Sequence, residues 1–204
     1  MPDTDPTTAI VLAGGRGTRL GMNMPKAAVS LCGRTLLARA VATASAAADD
    51  VVVVAPADLA LPATPARRVD DPPNAGGPLG GILAGLRSVA GCAGPTIVLA
   101  VDFPLVRAET LQWLRAALGS DRAVMPAPLG IWQPLVAVYG SDVLDVFERQ
   151  WRAGVRSIMQ AVREIQPRIV GDDELDPRPG GVDEFLNVNT REELAVAEQL
   201  MSGG

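Results

Sequence analysis

Apolar positions in this chain come in solid blocks separated by glycine, proline and charge, rather than in strict alternation. Ala9-Ile10-Val11-Leu12-Ala13 is unbroken and closes on Gly14-Gly15, which predicts a buried first strand feeding a glycine-rich loop. Leu36 to Ala48 is rich in alanine and poor in β-branched residues, so it predicts a helix. Val51-Val52-Val53-Val54 predicts a second buried strand, and Arg68-Val69-Asp70 a short third one ending in the turn signal Asp71-Pro72-Pro73-Asn74. Leu79 to Val89 then reads as helix, and Thr96 to Val101 as an apolar strand that terminates on Asp102. Further on, Glu109 to Leu118, Ser141 to Trp151 and Ser157 to Val162 predict helices, and Arg122 to Pro126 and Gln133 to Tyr139 predict strands. A last strand is expected near Phe185 to Val188, before Thr190, whose spacing to Glu193 is that of a capping box.

Strands alternating with helices predict an α/β fold with a mostly parallel sheet and helices on both faces. No internal repeat is visible. The proline-rich stretches Ala55 to Pro65 and Asp172 to Gly181 read as surface loops, and 204 residues suit one sizeable core, so residues 1–204 are expected to form a single domain.

Composition changes this picture in three places. A net charge of −5 disfavours nucleic acid or an anionic membrane as partner, since both need a basic face. No apolar run is long enough to span a bilayer, the first residues are polar and acidic, and Cys32 and Cys92 stand far apart; a reducing cytoplasm fits these features. The chain has no histidine, which removes Ser-His-Asp and Cys-His arrangements and ordinary zinc catalysis, leaving carboxylates, arginines, backbone amides and a hard cation held by oxygen. Of 18 basic residues one is lysine, Lys26, and it falls at the end of the glycine loop, where a compact charge suits phosphate oxygens. As a loop residue it is expected at the surface, contributing little to folding.

Four segments are candidates for chemistry. The loop Leu12-Ala13-Gly14-Gly15-Arg16-Gly17-Thr18-Arg19-Leu20-Gly21, with Pro25-Lys26, would let backbone amides approach a triphosphate while Arg19 and Lys26 neutralise it. It matches neither the P-loop nor the dinucleotide-binding spacing, and glycines of this kind also serve plain turns. Asp102 stands at the carboxyl end of an apolar strand, where open α/β sheets bind ligands, and suits Mg²⁺; the bland alternative is a turn or cap aspartate. Asp71 with Gly76-Gly77-Pro78-Leu79-Gly80-Gly81 makes a turn into a helix N-terminus, equally suited to anions or to close packing. Asn187 and Asn189 would point the same way on a strand, and either could offer an amide oxygen to a metal or act as a simple turn residue. The tryptophans read as core or cleft-wall residues.

Together these segments resemble the molybdenum cofactor guanylyltransferase family, a MobA-like branch of the NTP-sugar-transferase-like nucleotidyltransferases. The resemblance runs from about Ala9 to Leu200 on Leu12-Ala13-Gly14-Gly15 through Lys26, Asp71 ahead of Gly77-Pro78-Leu79, Asp102-Phe103-Pro104, Gln133-Pro134-Leu135 and Asn187-Val188-Asn189-Thr190. It implies a Rossmann-like three-layer α/β/α fold with a mixed sheet, and transfer of GMP from GTP to the phosphate of molybdopterin. It further implies that Leu12, Ala13, Gly14 and Gly15 contact the nucleotide, Arg19 and Lys26 its phosphates and Asp71 the guanosine. Asp102 and Asn189 would hold Mg²⁺, Asn187 would support the acceptor side, and cofactor-handover proteins would be further partners. Two features differ from the family pattern: Pro25 precedes Lys26 where the family carries aspartate, and Val54-Ala55-Pro56 stands where it carries asparagine. The alternatives are a cytidylyl- or sugar-phosphate nucleotidyltransferase on the same fold, a nicotinamide-dependent oxidoreductase, and a silent nucleotide-binding module.

Overall fold

The computed structural model describes residues 5–22, 24–72 and 77–203; the side chain of Arg19 lies outside the described residues, as do Asn74 and Gly76 of the expected turn. In chain order the strands are β1 (Thr8–Leu12), β2 (Ser30–Leu31), β3 (Arg34–Thr35), β4 (Asp50–Pro56), β5 (Arg67–Asp71), β6 (Thr96–Ala100), β7 (Ala123–Pro126), β8 (Val136–Tyr139) and β9 (Arg168–Val170). The helices are α1 (Leu36–Ala47), α2 (Pro78–Ser88), α3 (Ala108–Ala117), α4 (Val143–Arg152), α5 (Ile158–Ile165), α6 (Asp172–Leu175) and α7 (Arg191–Ser202).

Seven strands form one sheet in the order β5-β4-β1-β6-β8-β7-β9, while β2 and β3 make a small hairpin of their own. β1 runs parallel to β4 and β6, β4 parallel to β5, and β7 parallel to β9; β8 is antiparallel to both of its neighbours. Strands β1 and β6 are buried at every position, which is why they read as continuous apolar runs. Helices α1 and α3 pack together on one face, and α2, α4 and α5 on the other, giving the three-layer mixed α/β architecture. The apolar side chains of the sheet and of these helices merge into one core.

Local chemistry sets the helix starts. The Thr35 side chain accepts from the Ala38 amide at 3.1 Å and caps α1, whose buried stripe Leu36, Leu37, Ala40, Val41, Ala44 keeps helical spacing. Pro78 opens α2 behind Gly77, whose φ of +144° is open to glycine and strained for other residues.

The chain goes from β1 outward to β4 and β5, then returns to β6 on the opposite side of β1. That reversal is a topological switch point, and in open α/β sheets the ligand crevice opens there, beyond the carboxyl ends of the strands.

Three expectations are corrected. Residues 185–188 do not form a sheet strand: a 3-10 turn spans Gly181–Phe185, and the Val188 amide donates to the Asp102 carbonyl at 2.8 Å instead of to a strand. The edge beside β7 is taken by β9. The stretch from Asp172 to Gly181 is also not all loop, since it contains the single turn of α6. The strand expected from Gln133 begins only at Val136, because Pro134 has no N–H to give a ladder. Among the described residues no helix is long and apolar enough to cross a membrane, and both cysteines are free and exposed.

Candidate active site at the carboxyl ends of the parallel strands

The segment after β1 folds back on itself. The Lys26 amide donates to the Gly15 carbonyl at 2.9 Å, closing a loop whose glycines are needed for two separate reasons. Gly17 has φ +69°, and a Cβ there would lie 2.6 Å from the Met24 carbonyl oxygen. At Gly15 a Cβ would stand 3.3 Å from Cβ of Lys26, so the missing methyl lets the lysine stem lie against the loop.

Lys26 is thereby buried, only 7% exposed, contrary to the expectation of a surface lysine. Its Nζ donates to Asp102 Oδ2 at 3.2 Å and to Asn189 Oδ1 at 2.6 Å. Asn189 in turn donates from Nδ2 to Asn187 Oδ1 at 2.6 Å, which fixes the Asn189 amide with its oxygen toward the ammonium. The two asparagines therefore do cooperate, although no strand alternation aligns them. Their backbone is held from both sides, by the Val188–Asp102 bond and by Glu193, whose Oε2 accepts from the Asn189 and Thr190 amides at 2.6 and 2.8 Å. The predicted capping box at Thr190 is formed. Arg191 completes the junction by donating from Nε to the Leu20 carbonyl at 3.0 Å, so the start of α7 is tied to the glycine loop.

Lys26 and Asp102 line a cavity of about 740 Å³ outside the strand ends, whereas Asn187 and Asn189 stand behind them and do not border it. Leu12, Gly14, Gly15, Lys26, Asp71 and Asp102 all border it, as does Leu135, just before β8. Ala13 does not border it: this residue is fully buried, and its amide is spent on the Val54 carbonyl at 2.8 Å. Two carboxylate oxygens at the cavity are buried without a hydrogen-bond partner among the described residues, Asp71 Oδ1 and Asp102 Oδ1. Such groups cost free energy unless a donor or a cation reaches them. Burial holds the Asp71 carboxyl above the ordinary carboxylate range.

Sequence reasoning missed one pair at this cavity. Arg16, between the glycines, donates from Nη2 to Asp58 Oδ2 at 2.8 Å, and both residues line the cavity mouth. The position of Arg16 inside the glycine loop was the available signal; nothing local marks Asp58. Trp113 and Trp151 lie against the guanidinium groups of Arg178 and Arg156, at 3.3 and 3.9 Å, so their faces are taken by the chain's own arginines.

Comparison with known proteins accords with this geometry. Residues 9–167 match the model of the MobA-like NTP transferase domain. A molybdenum cofactor guanylyltransferase of Pseudomonas putida is 37% identical over 166 residues, covering 79% of this chain and 85% of that protein. The molybdopterin-guanine dinucleotide biosynthesis protein A of Archaeoglobus fulgidus superposes with a TM-score of 0.78 at 26% identity, covering 97% of this chain and all of that one. The 4-diphosphocytidyl-2C-methyl-D-erythritol synthase of Anaerococcus prevotii shares the fold, with a TM-score of 0.74 at 14% identity, covering 97% of this chain and 96% of that one. A switch-point cavity with a glycine loop, a buried lysine and strand-end carboxylates, carried on a chain that matches this model over most of its length, places the protein in the MobA-like NTP transferase family of nucleotidyltransferases.

Proposed function

We propose that this chain, acting as one nucleotidyltransferase domain, transfers GMP from GTP to the phosphate of molybdopterin. The products are pyrophosphate and the guanine dinucleotide form of the cofactor. The reading rests above all on the Lys26–Asp102–Asn189 cluster at the cavity edge, together with the guanylyltransferases that the chain resembles at 37% identity.

An acceptor phosphate oxygen attacks the α-phosphorus of GTP, the bond from that phosphorus to the bridging oxygen breaks, and pyrophosphate leaves. The nucleophile is already ionised, so no general base is required, in keeping with a chain that lacks histidine. The protein's task is positioning and charge stabilisation. The glycine loop brings backbone amides to the phosphates, Lys26 and Arg19 offset their charge, and Asp71 meets the nucleoside with its unpartnered oxygen. Leu135 closes the acceptor side.

The site fits a hard divalent cation such as Mg²⁺. Asp102 Oδ1 is buried and without a partner among the described residues, and Asn189 Oδ1 meets the same Lys26 ammonium as Asp102 Oδ2. That donor set suits an ion that keeps water and takes phosphate oxygens as its other ligands. When bound, the ion would offset the charge that develops on the transferred phosphoryl group. The setting we infer is the cytoplasm, with cofactor-handover proteins rather than nucleic acid or membrane as partners.

The test is incubation with each α-labelled NTP, Mg²⁺ and molybdopterin. Labelled dinucleotide is expected from GTP, with little from CTP; comparable product from CTP would make this chain a cytidylyltransferase.

A further inference from the structure

Arg16 is a cation of the glycine loop for which the proposed chemistry has found no use. Its guanidinium crosses the cavity mouth to Asp58, just beyond the end of β4, at 2.8 Å. The two side chains are 60% and 65% exposed. An ion pair so exposed is held by little, because water screens it and two side chains must be kept in place. A triphosphate offers the same guanidinium several charged oxygens in the geometry it binds best. The backbone on either side of Arg16 is glycine, and Gly15 and Lys26 line the same cavity.

On the reading of the site as an NTP site, we propose that Arg16 is a further triphosphate-binding residue, stored on Asp58 across the cavity mouth and handed to the β- and γ-phosphate oxygens when nucleotide enters. Asp58 is then a competitor for Arg16, not a contact of the nucleotide. The hydrogen bond and charge of Arg16 hold the Asp58 carboxyl below its ordinary range. Lys26 differs in kind: it is buried and held by two partners, whereas Arg16 is held by one carboxylate at the surface.

Calorimetric titration of the whole chain with GTP and with GMP, both with Mg²⁺, tests this. Arg16→Ala should weaken GTP binding by about tenfold, the loss of one strong charge-assisted contact, and leave GMP nearly unchanged. Asp58→Asn should tighten GTP by about two- to five-fold, the range of an exposed ion pair, again without effect on GMP. The double variant should match Arg16→Ala, because Asp58 acts only through Arg16. Unaltered GTP affinity in Arg16→Ala overturns the proposal. Weaker GTP binding in Asp58→Asn also overturns it, by making Asp58 itself a ligand contact. A wild type that prefers CTP overturns the guanylyl reading alone, and the Arg16 comparison is then made with CTP. Absence of NTP binding in the wild type overturns both.

Discussion

The two sides of the sheet differ in where they hold charge. On the side of β5, β4, β1 and β6 every strand is parallel, all carboxyl ends reach one edge, and the pair Lys26–Asp102 is held inside the cavity there, with side chains 9% and 18% exposed, while Arg16–Asp58 and Arg68–Asp70 lie toward the surface. On the side of β8, β7 and β9 the direction is mixed, and charged groups sit on outer surfaces: Arg149–Glu164 at 2.9 Å is 63% and 50% exposed, and Arg168–Glu174 at 2.7 Å is 38% and 37% exposed. The chemical groups are of the same kind, so burial makes the difference. An exposed pair is worth about 0–1 kcal/mol. A buried pair forfeits hydration on both ions and is weak evidence for stability, so its retention at a strand-end cavity points to a task other than holding the fold.

The sharpest way to break the contrast is Asp102→Ala. Turnover should fall by about a thousandfold or more, roughly 4 kcal/mol of transition-state stabilisation, while the melting transition stays cooperative. Steady-state pyrophosphate release with a melting curve reads both, and substantial Mg²⁺-dependent turnover would remove Asp102 from the mechanism.

Next comes Lys26→Arg, which keeps the charge. Turnover should drop by about tenfold, or about 1.4 kcal/mol. Because Lys26 is buried against Gly15, the wider guanidinium must also displace its neighbours, and stability should fall by roughly 1–3 kcal/mol. A loop lysine at the surface would have shown the first effect without the second.

Asp71→Asn should separate binding from folding. Burial raises the Asp71 carboxyl pKa above 3.8, so the folded chain holds that proton more readily than the unfolded one. The carboxylate therefore opposes folding above its raised pKa, and the penalty fades as pH falls and is gone below 3.8. The amide variant should be more stable than wild type near pH 7, with the gain lost in acid, yet should bind GTP more weakly. Melting curves across pH test the first part; an unchanged melting point at neutral pH would contradict it.

The smallest effect belongs to the far side. Arg149→Ala should change stability by no more than about 0.5 kcal/mol and leave turnover at the wild-type level. A large loss on chemical denaturation would mean that exposed pairs in this chain carry more than their burial suggests.

Much of the parallel side was legible because β1, β4 and β6 are buried on both faces and so appear as solid apolar runs ending in glycine, proline or Asp102. The far side was less so. Three residues of β9, between Pro167 and Gly171, are too few to carry a period, and α6 is a single turn inside a proline-rich segment. At the site, Lys26 and Asp102 could be picked out by position, but their meeting depends on backbone ties between residues far apart in sequence, such as Val188 to Asp102 and Arg191 to Leu20. Asn187 and Asn189 were expected to share one face of a strand; they meet instead through a direct hydrogen bond in a segment outside the sheet. Asp58 carried no local mark at all, since its relevance comes only from how close β4 lies to the glycine loop.

One missing methyl group outside the cavity lining acts as a spacer gauge for the whole crevice. In α2, a Cβ on Gly81 would meet Leu12 Cδ2 at 3.4 Å and Asp71 Oδ2 at 3.6 Å, which is ordinary contact. One turn deeper, a Cβ on Gly85 would come within 2.7 Å of Ile10 Cδ1 and Cγ2, where something must shift. The helix can rest this low on the sheet only while position 85 stays bare. Alanine there would prop up the inner part of the helix and change its tilt over β1, moving Gly77 and Pro78 relative to Asp71. The width of the crevice is thus written partly at a residue that does not line it, so crevice shape and core packing cannot drift independently.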